Sequence, residues 1–456
     1  MYIEKLYKSF LSSSGVNTDS RTVAPGQVFF ALKGETFDGN LYALQALEKG
    51  AVCAVVNEES EAAASGDPRI VAVPDTLAAL KELAAWHRRH VREDLVVIGL
   101  TGTNGKTTTK ELLRTVLSVK YNVLATEGNL NNDIGVPLTA LKLRPEHEIA
   151  VIEMGASHPE DITALTPVSQ PDYGLITNVG KAHLLGFGSF EGVKRAKGRL
   201  YDWIKAHGKA VFVNGDDPDL MEMASSRGLE KHLYGIRQEG VEVLPTSAEQ
   251  PFVRLRVDGV LLESHFVGAY NVTNMLAAMA VGRFFGISRA DAAAAIAAYI
   301  PSNNRSQMFR TAHNVLIEDA YNANPSSMAA ALANFSNMED PRKVALLGDM
   351  RELGADSLKE HIAVLDHLRR LGLWKVCLVG EEFRGALDAA GLLPEALATA
   401  GSESASPATD AHPGAIAWYP DSDALAAALR EHPLSGCIIL VKGSRGIRME
   451  KVIPAL

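Results

Sequence analysis

The stretch Gly99-Leu-Thr-Gly-Thr-Asn-Gly-Lys-Thr-Thr108 leaves an apolar run, Leu95–Leu100, and enters a segment of helical periodicity, Thr107–Val119. Strand, glycine-rich turn and helix in that order are the setting of a phosphate-binding loop. Gly102 and Gly105 let backbone N–H groups curl around phosphate oxygens with no Cβ in the way, and Thr103, Asn104 and Thr108 complete the loop. Lys106 is placed to reach the β- and γ-phosphates, and the Thr107 hydroxyl to hold Mg²⁺. The strict pattern puts a glycine at position 100, where this chain has Leu100, so the loop is a variant. A chance Gly-Lys-Thr turn is the bland alternative. No Asn-Lys-x-Asp segment occurs to read guanine, which disfavours a GTPase.

Working outward, strand-length apolar runs recur at Ile149–Met154, Tyr173–Thr177, Lys209–Asn214, Lys343–Leu347, Lys375–Val379 and Cys437–Val441. Helix-period segments such as Ala290–Tyr299 lie between them. That alternation predicts an α/β protein with parallel sheets covered by helices. At 456 residues the chain is too long for one ordinary core. Polar breaks near His90–Glu93 and Pro301–Arg310 divide it into three units, 1–92, 93–308 and 309–456. Ala400–Gly414, rich in Ser, Ala and Pro, reads as a surface loop in the last unit.

The formal net charge is −9, with no basic excess for nucleic acid or an anionic membrane. No run of 18 apolar residues predicts a membrane span, and residues 1–14 lack the apolar segment of a signal peptide. A cytoplasmic protein is expected. Cys53, Cys377 and Cys437 are far apart and sit in or beside apolar runs, as buried thiols do.

Further segments narrow the reading: Gly128-Asn-Leu-Asn-Asn-Asp-Ile-Gly-Val-Pro137, Glu153-Met-Gly-Ala-Ser157, Asn178-Val-Gly-Lys-Ala-His183, Asp319-Ala-Tyr-Asn-Ala-Asn-Pro325, Leu347-Gly-Asp-Met-Arg-Glu-Leu-Gly354 and Val441-Lys-Gly-Ser-Arg445. With the loop, and in this order, they resemble the Mur ligases, which build the peptidoglycan stem peptide. The likeness is to members that add D-alanyl-D-alanine, and it runs from about residue 17 to the C-terminus. The resemblance implies three α/β domains: a small N-terminal one for the uridine diphosphate end of the substrate, a central P-loop ATPase-like domain with a parallel sheet, and a Rossmann-like C-terminal domain for the acceptor.

It further implies that ATP activates the carboxylate of UDP-N-acetylmuramoyl-tripeptide as an acyl phosphate, which the dipeptide amine attacks. A monomer is expected. Glu153 and His183 resemble the family's Mg²⁺ ligands, with Thr107 and phosphate oxygens; two Mg²⁺ ions are implied. Lys197 matches the lysine that relatives carbamylate, which requires a neutral, buried amine; a salt-bridging lysine is the alternative. Arg199 stands where many relatives have Glu, and Tyr270 where they usually have His. Asn271 and Asn274 resemble the residues that meet the adenine edge, helix capping being the alternative. Arg305 resembles the arginine that reaches ATP phosphate, and Asp319 the carboxylate that binds ribose hydroxyls.

In the first unit Ser20 and Arg21 are candidates for the sugar-nucleotide, against a turn ion pair between Asp19 and Arg21. Relatives that add diaminopimelate carry Asp-Asn-Pro-Arg, whose arginine meets the extra carboxylate. Here the stretch reads Asn322-Ala-Asn-Pro-Ser326, and a site lacking that arginine's charge does not easily satisfy a second carboxylate. Tyr321, Asn322 and Asn324 are therefore candidates to line a D-Ala-D-Ala pocket. Three alternatives stay open: a superfamily ligase adding one amino acid or glutamates to folate, a P-loop switch or motor, and a non-catalytic nucleotide-binding module.

Overall fold

Four strands from the first unit, β1 (Val16–Asn17), β2 (Val28–Phe30), β3 (Cys53–Asn57) and β4 (Ile70–Val73), form a parallel sheet in chain order. The computed structural model describes residues 2–247, 250–301, 305–338, 340–392 and 415–456. The Ala400–Gly414 loop lies outside them.

The central sheet has six parallel strands: β5 (Val96–Thr101), β6 (Val123–Ala125), β7 (Ile149–Glu153), β8 (Tyr173–Ile176), β9 (Ala210–Asn214) and β10 (Lys231–Tyr234), ordered β10-β9-β8-β5-β7-β6. Strand β5 is flanked by β8 and β7, and both of its faces are buried, which is why its sequence is apolar almost throughout. The helix Lys106–Leu117 follows and buries Leu112, Leu113, Val116 and Leu117 in a core shared with the helix Asn271–Phe284.

A three-stranded antiparallel sheet, β11 (Val241–Leu244), β12 (Arg254–Val257) and β13 (Val260–Glu263), branches from this unit. The last sheet comprises β14 (Gln307–Arg310), β15 (Val315–Asp319), β16 (Lys343–Gly348), β17 (Lys375–Val379), β18 (Ala415–Tyr419) and β19 (Ile438–Lys442). Its order is β14-β15-β19-β16-β17-β18, with only β14 antiparallel. Strand β14 pairs with β15, so it belongs to the last sheet and straddles the 308/309 boundary drawn from sequence. A four-residue strand after a polar segment carries too little pattern to mark where that sheet begins.

The first and central units share one hydrophobic core, running from Ile3 and Leu80 to Ile152 and Leu200. The helix Thr76–His90 joins them, its N-terminus capped by Asp75, which accepts from Leu77 N and Ala78 N. Near its other end Arg88 pairs with Asp172 at 3.0 Å, and the same carboxylate accepts from Val97 N at 2.8 Å. All three cysteines are buried free thiols. Burial pushes Cys53 and Cys377 up to about 11 and raises Cys437 too. Among the described residues, no helix is long and apolar enough to cross a membrane.

Candidate active site

Sheet register sets the site. Leu100, at the end of β5, pairs with Glu153 at the end of β7, while Thr101 pairs with Ile176 of β8. The carboxylate of Glu153 and the loop after β8 therefore flank the phosphate loop on either side.

The loop's shape is fixed by its neighbours. Gly105 has φ +77°, and a Cβ there would meet Asn274 Oδ1 at 2.7 Å; Gly102, at φ +149°, has Thr177 in the same relation. Asn178 grips the Asn104 backbone at both ends, its Oδ1 accepting from Asn104 N and its Nδ2 donating to Asn104 O, each at 3.0 Å. Thr177 Oγ1 donates to that carbonyl as well, and Gly180 N donates to Thr103 Oγ1. Lys106 Nζ reaches back to the carbonyls of Gly102 and Thr103. Burial lowers the Lys106 pKa, Glu153 opposing and Arg305 adding to the drop.

Glu153 is 1% exposed. Its Oε1 accepts from Asn131 Nδ2 at 2.8 Å and from Thr107 Oγ1 at 3.3 Å, whereas Oε2 is buried without a hydrogen-bond partner. A buried carboxylate oxygen left unpaired, with a threonine hydroxyl alongside, fits a hard divalent cation. No three His, Cys, Asp or Glu side chains among the described residues are grouped to hold a metal by themselves. Such a donor set suits an ion that takes most of its oxygens from phosphate and water, as Mg²⁺ does. His183, in the left-handed region at φ +50°, turns Nδ1 to the Glu352 carboxylate, which comes from the loop after β16. Burial pulls the His183 pKa down and Glu352 opposes it.

Lys197, on the helix Phe190–His207, is 2% exposed, and its Nζ lies 5.8 Å from the Phe187 ring centroid. It has no ion-pair partner among the described residues, so the salt-bridging alternative is not what the structure holds. Burial, then the charge of Lys106, drive its pKa well below the ordinary lysine value, with Asp161 opposing. Arg199 faces Asp202 instead.

One cavity of about 1260 Å³ brings most of the sequence candidates together. Thr103, Asn104, Gly105, Lys106, Thr107, Thr108, Glu153 and His183 line one side; Arg305, Asp319, Tyr321, Asn322 and Asn324 line the other, with Asn271 and Asn274 between. The two sides touch where Asn324 Nδ2 donates to Asn104 Oδ1 at 2.8 Å. Asn324 also caps the helix Pro325–Ser336, accepting from Ser327 N at 2.9 Å in a capping box. Arg305 stacks on Tyr321, its guanidinium carbon 3.8 Å from the ring centroid.

Other candidates already have partners within the protein. Arg21 is engaged by Asp19 at 2.7 Å, the turn ion pair, and neither Arg21 nor Ser20 lines the cavity. Asn271 and Asn274 bond to protein rather than presenting free amides: Asn271 Nδ2 donates to Val267 O and its Oδ1 accepts from Asn274 Nδ2, while Asn274 Oδ1 accepts from Thr109 Oγ1. Neither side chain caps the helix N-terminus; the amide chain ties that helix to the phosphate loop, and both asparagines line the cavity. Asp319 pairs with Lys442 at 2.5 Å, because β15 and β19 place the two side by side in register. Asn131, Asn178, Glu352 and Lys442 were inside the quoted motifs without a role; only strand adjacency reveals what each one touches.

Family comparisons agree with this architecture. The Mur ligase family, catalytic domain, matches residues 12–93; the Mur ligase middle domain 100–282; and the Mur ligase, glutamate ligase domain 304–445. The UDP-N-acetylmuramoyl-tripeptide–D-alanyl-D-alanine ligase of Bacillus subtilis is 34% identical, over 97% of this chain and 93% of its own. A crystal structure of MurF from Acinetobacter baumannii superposes with TM-score 0.80 at 29% identity, covering 99% of this chain and 97% of that one. MurF ligase from Thermotoga maritima in complex with ADP gives TM-score 0.81 at 25% identity, covering 98% and 97%. With the three domain matches laid in order along nearly its whole length, the chain belongs to the Mur ligase family.

Proposed function

We propose that this enzyme is an ATP-dependent ligase that joins D-alanyl-D-alanine to UDP-N-acetylmuramoyl-tripeptide, giving the pentapeptide precursor, ADP and phosphate. The observation that carries the reading is the shared cavity, which faces a phosphate loop on one unit with Tyr321, Asn322 and Asn324 on another. The name borne by relatives about one-third identical over the full length supports the same substrates.

The tripeptide carboxylate oxygen attacks the γ-phosphorus of ATP, and ADP leaves. The dipeptide nitrogen then attacks the acyl carbon; the C–N bond forms, the C–O bond to phosphate breaks, and the amine gives up a proton. Lys106 and the loop N–H groups hold phosphate oxygens in the attack geometry, which is the main demand of phosphoryl transfer. Arg305, stacked on Tyr321, supplies a second cation facing the same cavity. Thr107, Glu153 and His183 would hold Mg²⁺, which neutralises charge on the transferring phosphate. The Glu352 contact supports His183 in that role, since a carboxylate on Nδ1 leaves the Nε2 lone pair free for a metal. The uncharged Lys197 amine would gain an N–C bond to CO₂ and lose a proton to solvent, placing an anion in a region already carrying Lys106. Burial, which favours the uncharged form of the amine, supports that modification.

The first unit would hold the uridine diphosphate end, the central unit ATP, and the last, beginning ahead of β14, the acceptor. The reaction would take place in the cytoplasm on two diffusible substrates, with the enzyme as a monomer. The test is ATP-dependent phosphate release with the UDP-linked tripeptide, with and without D-Ala-D-Ala. Release that needs both, with pentapeptide detected by mass, is the expected result. Release with neither points to a switch or motor, and release with another amine alone overturns the acceptor assignment.

A further inference from the structure

The acceptor dipeptide carries a carboxylate at the end remote from its amine, and no residue has yet been given to it. Of the residues read as lining its pocket, Asn324 is engaged by its helix and by Asn104, and Asn322 Oδ1 accepts from Ala323 N. Neither amide carries the charge a carboxylate needs. Lys442 is taken by Asp319.

Besides Lys106 and Arg305, two cations in the cavity have no carboxylate partner among the described residues: Arg351, in the loop after β16, and Arg445, in the loop after β19. The fold brings them together. Arg351 N donates to Ser444 Oγ at 2.9 Å, tying the two loops. Residue 446 is a glycine, and a Cβ there would meet the Arg351 guanidinium at 3.2 Å, so this side chain lies across the backbone next to Arg445. Arg445 Nη1 donates to the Tyr321 hydroxyl at 3.3 Å, which adds the loop after β15. Two like charges set on adjoining segments with no carboxylate between them repel unless an anion joins them.

Placement selects the anion. Strands β15, β19 and β16 are neighbours, and the chain passes from β15 to β16 across the place that β19 later fills. The crevice beyond the carboxyl ends of strands at such a crossover is where open parallel sheets bind ligands. The dipeptide amine must reach the acyl carbon near Lys106, so its carboxylate points away from the phosphate loop, toward these loops. Phosphate already has Lys106 and Arg305.

The geometry points to Arg351 and Arg445 as the clamp for the acceptor's terminal carboxylate, so that the enzyme selects a free acid at that end. This rests on the ligase reading above. The test compares D-Ala-D-Ala with its C-terminal carboxamide in the wild type, Arg351→Ala, Arg445→Ala, the double variant and Arg445→Lys. Wild type should strongly prefer the acid. Each alanine variant should raise the dipeptide KM by about 10- to 100-fold, as loss of a charge-assisted hydrogen bond does. KM for ATP should stay within about twofold, and the acid preference should collapse in the double variant. Arg445→Lys should fall between, keeping charge but not the planar fork. An acid preference retained in the double variant, or a KM for ATP that rises as much as that for dipeptide, overturns the clamp while leaving the ligase intact. A wild type that makes no pentapeptide removes the ligase reading itself, and the clamp with it.

Discussion

Replacing Asn324 by alanine removes both its helix cap and its amide contact with Asn104, and the two can be separated. One is the cap on Ser327 N at 2.9 Å, the other the bond across the cavity to Asn104 at 2.8 Å. Loss of an N-cap costs about 1 kcal/mol. A part-buried amide pair contributes about 1 kcal/mol net. Asn324→Ala should therefore loosen the helix Pro325–Ser336 by about 2 kcal/mol, roughly 30-fold faster opening-limited amide exchange in that helix. Asn324→Ser keeps a good cap but is too short to reach Asn104, so about fivefold is expected. Asn104→Ala should give a similar fivefold change in a helix more than 200 residues away in sequence, and should add nothing to Asn324→Ser. Native-state hydrogen exchange by mass spectrometry is the assay, because a chain of several units does not unfold in two states. Exchange in Asn324→Ser as fast as in Asn324→Ala would refute the division into cap and cross-cavity bond. An unchanged helix in Asn104→Ala would refute the contact.

Asn131→Ala leaves Glu153 without its orienting donor, so the Mg²⁺ concentration for half-maximal activity should rise about 10-fold or more; an unchanged Mg²⁺ titration would argue that Asn131 is only packing. Lys197 binds its proton in the unfolded chain up to its ordinary pKa of 10.5 but has lost it well below that when folded. Between those two values the unfolded state holds more protons, so stability rises with pH; Lys197→Met should flatten this part of a urea-midpoint series taken without CO₂, and an unaltered slope would count against a neutral amine. Lys106, lowered the same way, keeps part of the slope. Lys181→Ala breaks the 2.9 Å pair with Glu360, but the lysine is half exposed, so kcat/KM should fall by less than about fivefold; a larger loss would make that pair a determinant of domain docking.

Where a strand is apolar on both faces, its sequence is nearly enough. The runs ending at Leu100, Met154, Asn214 and Val379 each match an observed strand to within a residue or two. The antiparallel sheet β11–β13 escaped notice because its strands are four residues long and half exposed. The phosphate loop and Glu153 were readable because their chemistry is local to one strand end. Asn178, Glu352 and Lys442 were not, since each acts on a group that lies beside it only after β8, β16 and β19 take their places in the sheets. For Arg21 the sequence alone already offered its partner, because Asp19 lies two positions away and the pair forms within one turn.

The buried thiols have a practical side. A thiolate is the reactive form of cysteine, and Cys53, Cys377 and Cys437 are all buried with their ionisation pushed upward. The native protein should therefore react only slowly with maleimides at neutral pH, which a thiol-labelling time course would check. Single cysteines introduced at exposed positions such as Leu41 and Leu358 would take fluorophores selectively, with no need to strip the natural cysteines from the core. The distance between the first and last units could then be followed, turnover by turnover, on an otherwise unaltered enzyme.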